Sequence, residues 1–118
     1  MRYLSVLAAT LLMLSVSPVL ADPVGKYDVE GTNPGNGQSY SGTVSVTKTG
    51  QTYKVVWVIG GTSYIGTAIG NEEFMAISYK AGGNNTGLAL YAPKDDDWVG
   101  VWTYSGGTEM GTEHWTRQ

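Results

Sequence analysis

The chain has 118 residues and sets 10 Asp and Glu against 7 Lys and Arg, for a net charge of −3. That balance argues against nucleic acid as a partner, because a phosphate backbone rewards basic patches. With no cysteine and one histidine, neither a disulfide framework nor a Cys/His metal cluster can be assembled, so stability has to come from packing.

Met1-Arg2 gives a short positive start, Leu4 to Val16 is almost wholly apolar, and Pro18-Val19-Leu20-Ala21 precedes Asp22. This is the order of a secretory signal peptide over residues 1–21, cleaved after Ala21. The apolar run is shorter than the ~20 residues a helix needs to cross a bilayer. The expectation is an exported protein, periplasmic or extracellular, with no stable membrane insertion after cleavage. Residues 22–118 then make one domain with a single modest core.

From Gly25 onward, β-rich runs alternate with turn signals. Strands are predicted at Lys26–Gly31, Ser39–Lys48, Thr52–Ile59, Tyr64–Ile69, Phe74–Tyr79, Gly87–Ala92, Trp98–Tyr104 and Gly111–Thr116. Between them lie clusters such as TNPGNGQ and KAGGNNT, of the kind that close hairpins. No linker is long enough for a helical crossover, so neighbouring strands pair antiparallel. Eight strands with tight turns predict an all-β, up-and-down antiparallel meander closed into a small barrel. The alternative is a β-sandwich, which needs connections that jump between sheets.

Gly-x-x-Tyr occurs three times in succession, at Gly37–Tyr40, Gly50–Tyr53 and Gly61–Tyr64. The glycine closes a turn, and the tyrosine begins the inward face of the next strand. Residues two apart share a face, so Tyr27 and Val29 point inward opposite Lys26, Asp28 and Glu30. By the same parity Tyr40, Gly42, Val44 and Val46 face inward, as do Tyr53, Val55, Trp57 and Ile59, then Tyr64, Gly66 and Ala68. Inward glycines (Gly31, Gly42, Gly66, Gly100) leave room for neighbouring rings or let the strand bend. Trp57, Trp102 and Trp115 belong to this interior, whereas Trp98, beside the last turn, is expected to be more exposed. The number of inward aromatics favours a filled barrel.

Residues capable of catalysis are sparse. Parity turns His114 outward beside Thr112 and Thr116, and no nucleophile–base arrangement forms around it. Asp95-Asp96-Asp97 and Glu72-Glu73 do not have calcium-loop spacing and read as solvated turns. Gly60-Gly61 and Gly82-Gly83 precede no helix, as a phosphate loop would. No cofactor is expected, and no enzymatic activity. Glu113 stands apart, because it shares the inward face of Trp115. A buried carboxylate must be compensated, and a Lys or Arg near the rim is the expected partner; the alternative is a ligand anchor at the barrel mouth.

The "GKY" at 25–27 and "WTR" at 115–117 resemble the pairing of the calycins, lipocalin-like barrels in which a Gly-x-Trp on the first strand packs near a late arginine; here Tyr27 stands in place of the tryptophan. Over nearly all of residues 25–117, "YDVEGTNPGNGQSYSGTV", "YKVVW", "GLALY" and "GVWTYSGGTEMGTEHWT" resemble small exported bacterial proteins labelled "fibronectin-binding protein". That second resemblance implies an exported, non-enzymatic module binding a protein partner, possibly of the extracellular matrix. The calycin resemblance implies a carrier of one small apolar ligand, with Tyr53, Trp57, Trp102, Glu113 and Trp115 in the interior. For a protein partner, or for a second copy in a homodimer, the outward aliphatics Val56, Val58, Ile65 and Ile69 form the candidate surface.

Overall fold

Burial follows residue type with a period of two, which is why these segments are strands. In β1 (Gly25–Thr32), Tyr27, Val29 and Gly31 are buried while Lys26, Asp28 and Glu30 face solvent. The same alternation runs through β2 (Ser39–Thr49), β3 (Thr52–Ile59) and β4 (Thr62–Gly70). It continues in β5 (Met75–Ala81), β6 (Asn85–Lys94), β7 (Asp97–Tyr104) and β8 (Gly111–Arg117). This computed structural model describes residues 22–118; the leader read at 1–21 lies outside the described residues.

Each strand pairs antiparallel with its sequence neighbour, and β1 pairs with β8 from Tyr27↔Arg117 to Thr32↔Thr112. The sheet therefore closes as an eight-stranded barrel in simple chain order, and a two-sheet sandwich is excluded. Turn chemistry supports the tight hairpins. Gly60 and Gly61 sit at φ 58° and 80°, as a two-residue turn with both central residues left-handed requires. Gly50, at φ 66°, opens the β2–β3 turn. The repeated Gly-x-x-Tyr does as expected: Tyr40, Tyr53 and Tyr64 each point inward just after a turn or loop.

Two expectations need correction. Trp98 is fully buried (0 % exposed), not solvent-facing. The β6–β7 turn spans only Asp95 and Asp96, because Lys94 already pairs with Asp97. Trp98 is consequently the first inward residue of β7, on the same face as Gly100 and Trp102. The acidic cluster is also not merely solvated. Asp97 holds His114 Nε2 at 3.3 Å and accepts from the Arg117 backbone N–H at 3.2 Å, while Asp96 Oδ1 lies 3.3 Å from Arg117 Nε.

The interior has two unlike ends. One is packed shut. Tyr27 stacks against Trp115 (centroids 5.3 Å apart) and donates to the Pro23 carbonyl at 2.7 Å. Arg117 lies over the Tyr27 ring at 4.7 Å and donates to the Asp22 and Val24 carbonyls. Residues 25–27 and 115–117 thus meet at this end. Tyr53 belongs here as well, buried in the core with the Lys48 ammonium 4.2 Å from its ring centre. At the other end, between the β1–β2, β3–β4, β5–β6 and β7–β8 connections, the barrel is hollow.

Candidate functional site

Glu113 lies on β8 directly opposite two glycines, Gly31 of β1 and Gly100 of β7. Gly31 in turn pairs with Tyr40 of β2, and Gly100 with Tyr91 of β6. One register row therefore reads Tyr40, Gly31, Glu113, Gly100, Tyr91 across five strands. A Cβ at Gly31 would run into the Tyr40 ring, and one at Gly100 into the Tyr91 ring. Both tyrosines therefore reach over a missing side chain to the carboxylate.

That geometry gives Glu113 four donors. Tyr40 Oη donates to Oε2 at 2.6 Å, and Tyr91 Oη to Oε1 at 2.6 Å. Two indole N–H groups complete the set at Oε1, Trp115 at 2.8 Å and Trp57 at 3.1 Å. The expected Lys or Arg partner is absent from this list: four neutral donors replace the water the carboxylate loses on burial. Charge-assisted hydrogen bonds of this kind are worth about 1.5–3 kcal/mol each. Burial foremost, then the neighbouring Glu113 charge, holds the Tyr40 and Tyr91 hydroxyls well above the usual phenol range. They therefore stay protonated, as donors must.

Above the carboxylate opens a cavity of about 530 Å³. Glu113, Tyr91 and Trp57 form its deep part, Ala89 and Ile59 give it aliphatic wall, and Asn33, Asn36 and Asn85 stand at the rim. The remaining walls are rings in edge contact. Tyr79 lies 5.8 Å from Trp57, 6.2 Å from Tyr64 and 6.3 Å from Trp102, and Trp102 lies 6.1 Å from Tyr40. Burial first, then neighbouring Tyr64 and Glu113, pushes the Tyr79 hydroxyl up to about 12. The expectation of a filled interior is corrected to this extent: inward glycines such as Gly31, Gly42, Gly66 and Gly100 release space, and at the open end rings do not use all of it.

Of the interior residues singled out from sequence, Trp57, Trp102 and Glu113 come together at the cavity. Trp102 is only partly buried because it forms that wall. Trp115 lies beneath, stacked on Tyr91 at 4.3 Å, and Tyr53 is at the opposite end. Sequence reasoning missed Tyr79, Tyr91 and Tyr104 as lining residues; the inward glycines beside them were the available signal. His114 faces outward, away from the cavity.

The outer candidates do not form one patch. Val56, half-buried, pairs with Ile65 beside Val58, but Lys54↔Thr67 separates them from Ile69. Ile69 instead begins a row continuing through Ala76, Leu90 and Val101. With Phe74 this row borders an open depression of about 610 Å³ on the outer wall over Gly100. It is more open than the barrel mouth, and its outward polar lining residues, Glu30, Thr112 and His114, come from β1 and β8 alone.

No protein-family model and no curated protein matches the chain. Among solved structures it is similar to one described as a redesigned beta barrel, at 18% identity and a TM-score of 0.70. The match covers 86% of this chain and 99% of that one. It supports the all-β closed barrel and bears on fold alone.

Proposed function

We propose that the protein is a non-enzymatic binding module whose small-molecule ligand enters the open end of the barrel. The observation that carries this reading is the cavity of about 530 Å³, lined by rings and ending on one buried carboxylate. A concave, largely apolar site with a few convergent polar groups is the usual form of a small-molecule pocket. Eight strands give the smallest closed barrel able to hold one such ligand. The packed end, with Arg117 across it, makes the site a cup with one entrance.

Binding of the neutral dye N-phenylnaphthylamine, followed by its emission, tests this. Dye emission should rise on mixing, and Ala89→Phe, which adds a ring inside the cup, should reduce binding while circular dichroism stays unchanged. Equal binding by both proteins would place the dye elsewhere and remove the support.

A second reading rests on the outer row of Ile69, Leu90 and Val101, which are 60 %, 54 % and 36 % exposed. Contiguous apolar surface of this kind favours a protein partner or a homodimer. Light scattering after size exclusion, on the protein and on Leu90→Lys with Ile69→Lys, checks it. Association lost in the variant supports the partner surface, and a monomer unaffected by either lysine removes the homodimer.

A further inference from the structure

The cup ends on a carboxylate that no cation answers. All four donors on Glu113 are neutral phenols and indoles. Among the described residues lining the cavity there is no Lys, Arg or His. Neutral donors disperse a carboxylate's charge without cancelling it, and in surroundings of low dielectric that charge acts over a longer distance than in water. The walls add to the same sign. Trp57, Tyr64, Tyr79 and Trp102 form a chain of edge contacts around the cavity, and the faces of such rings attract cations. An anionic ligand, a fatty acid for example, would meet a carboxylate at the floor.

We propose that this cavity selects an organic cation, a quaternary ammonium ion. The inference rests on reading the open end as a ligand site. The type of cation follows from the hydrogen bonding. Glu113 Oε1 already accepts three hydrogen bonds and Oε2 accepts one from Tyr40, so the carboxylate's own donors take most of its acceptor capacity and leave one open position, on Oε2. A primary ammonium would bring three N–H groups to the floor of the site, where the carboxylate has one open position to offer. A quaternary ammonium brings none. Its charge is felt through the rings and through the field of Glu113, and its alkyl surface suits Ile59 and Ala89. The Trp102 indole N–H does not invite an acceptor ligand, since it is buried against Gly111.

The test uses two probes of one shape, meta-hydroxyphenyltrimethylammonium and meta-tert-butylphenol, which differ by the charged nitrogen. Calorimetric titration of the unaltered protein should show the cation binding about tenfold tighter or more, the range expected of desolvated cation–ring contacts. In Glu113→Gln, checked for fold by circular dichroism, the cation should lose more affinity than the neutral phenol, so that the preference shrinks. Trp102→Leu, which leaves the four donors in place, should weaken the cation more than the phenol. If Glu113→Gln does not fold, the comparison on the unaltered protein and on Trp102→Leu decides the matter. Equal or tighter binding of the neutral phenol overturns the cation inference and leaves the ligand-site reading standing. Binding of neither probe, together with no dye binding, overturns both.

Discussion

Glu113 shows how a single residue can be demanding and still stabilising. Its carboxylate leaves water, and four donors from β2, β3, β6 and β8 must all arrive to compensate. Removing the acceptor altogether leaves those donors buried with nothing to meet. Glu113→Ala should therefore cost about 3–5 kcal/mol, as for a buried polar partner lost without replacement. Glu113→Gln keeps one carbonyl oxygen and lets a tyrosine hydroxyl reverse its role, so its cost should be nearer 1–2 kcal/mol. Urea unfolding of both variants checks the ordering, and equal costs would mean that the donors find water instead. Strand parity was enough to read Glu113 as inward. The identity of its partners was not legible, because each depends on register between strands up to 73 residues apart.

At the scale of the strand, the sequence is most readable where a hairpin is short. All eight strands stand within a few residues of their predicted bounds, because turn residues and alternation are local signals. The error at Trp98 was local too, a two-residue turn read as a longer loop. Less local is the use of Gly31 and Gly100, which parity placed inward but only register explains. Gly100→Ala should destabilise by about 1–3 kcal/mol, the usual cost of overpacking, since the added methyl meets the Tyr91 ring and the Leu90 carbonyl. The effect should largely disappear in the background Tyr91→Leu if the ring is the main obstacle; persistence would assign the cost to the backbone contact. In the turn itself, Asp95 takes φ 56°, a conformation that glycine adopts without penalty. Asp95→Gly should raise stability by up to about 1 kcal/mol in thermal unfolding, and a loss would mean that its carboxylate makes a compensating contact.

For the molecule as a whole, the aromatic interior sets an upper pH limit. Tyr40, Tyr79 and Tyr91 all have hydroxyls raised above the ordinary value of 10.0, burial being the largest cause in each. The unfolded chain therefore gives up these protons first. Their contribution to stability is complete below about pH 10 and is lost as pH climbs through the raised values, by about 12 for Tyr79. Urea midpoints should be level through mild alkali and then fall steeply, with phenolate absorbance from these residues appearing together with unfolding. Tyr79→Phe should make the fall shallower; an unchanged slope would mean that Tyr79 ionises without opening the barrel.

Closure of the barrel also has a kinetic consequence. Every pairing but one joins consecutive strands, and the exception, β1 with β8, brings residues 27–32 to residues 112–117. Seven hairpins can form locally, whereas this seam must wait for nearly the whole chain, which makes it the slow step that topology predicts. The Arg117 guanidinium reaching the Asp22 carbonyl at 2.7 Å shows how near the two ends of the described chain lie. Joining residue 118 to residue 22 by a short linker and opening the chain between Gly60 and Gly61 would turn the seam into a hairpin and make β3–β4 the distant pair. Such a permuted chain still has one long-range closure, so stopped-flow refolding should give a similar rate. A much slower rate would identify the β3–β4 hairpin as the place where folding begins.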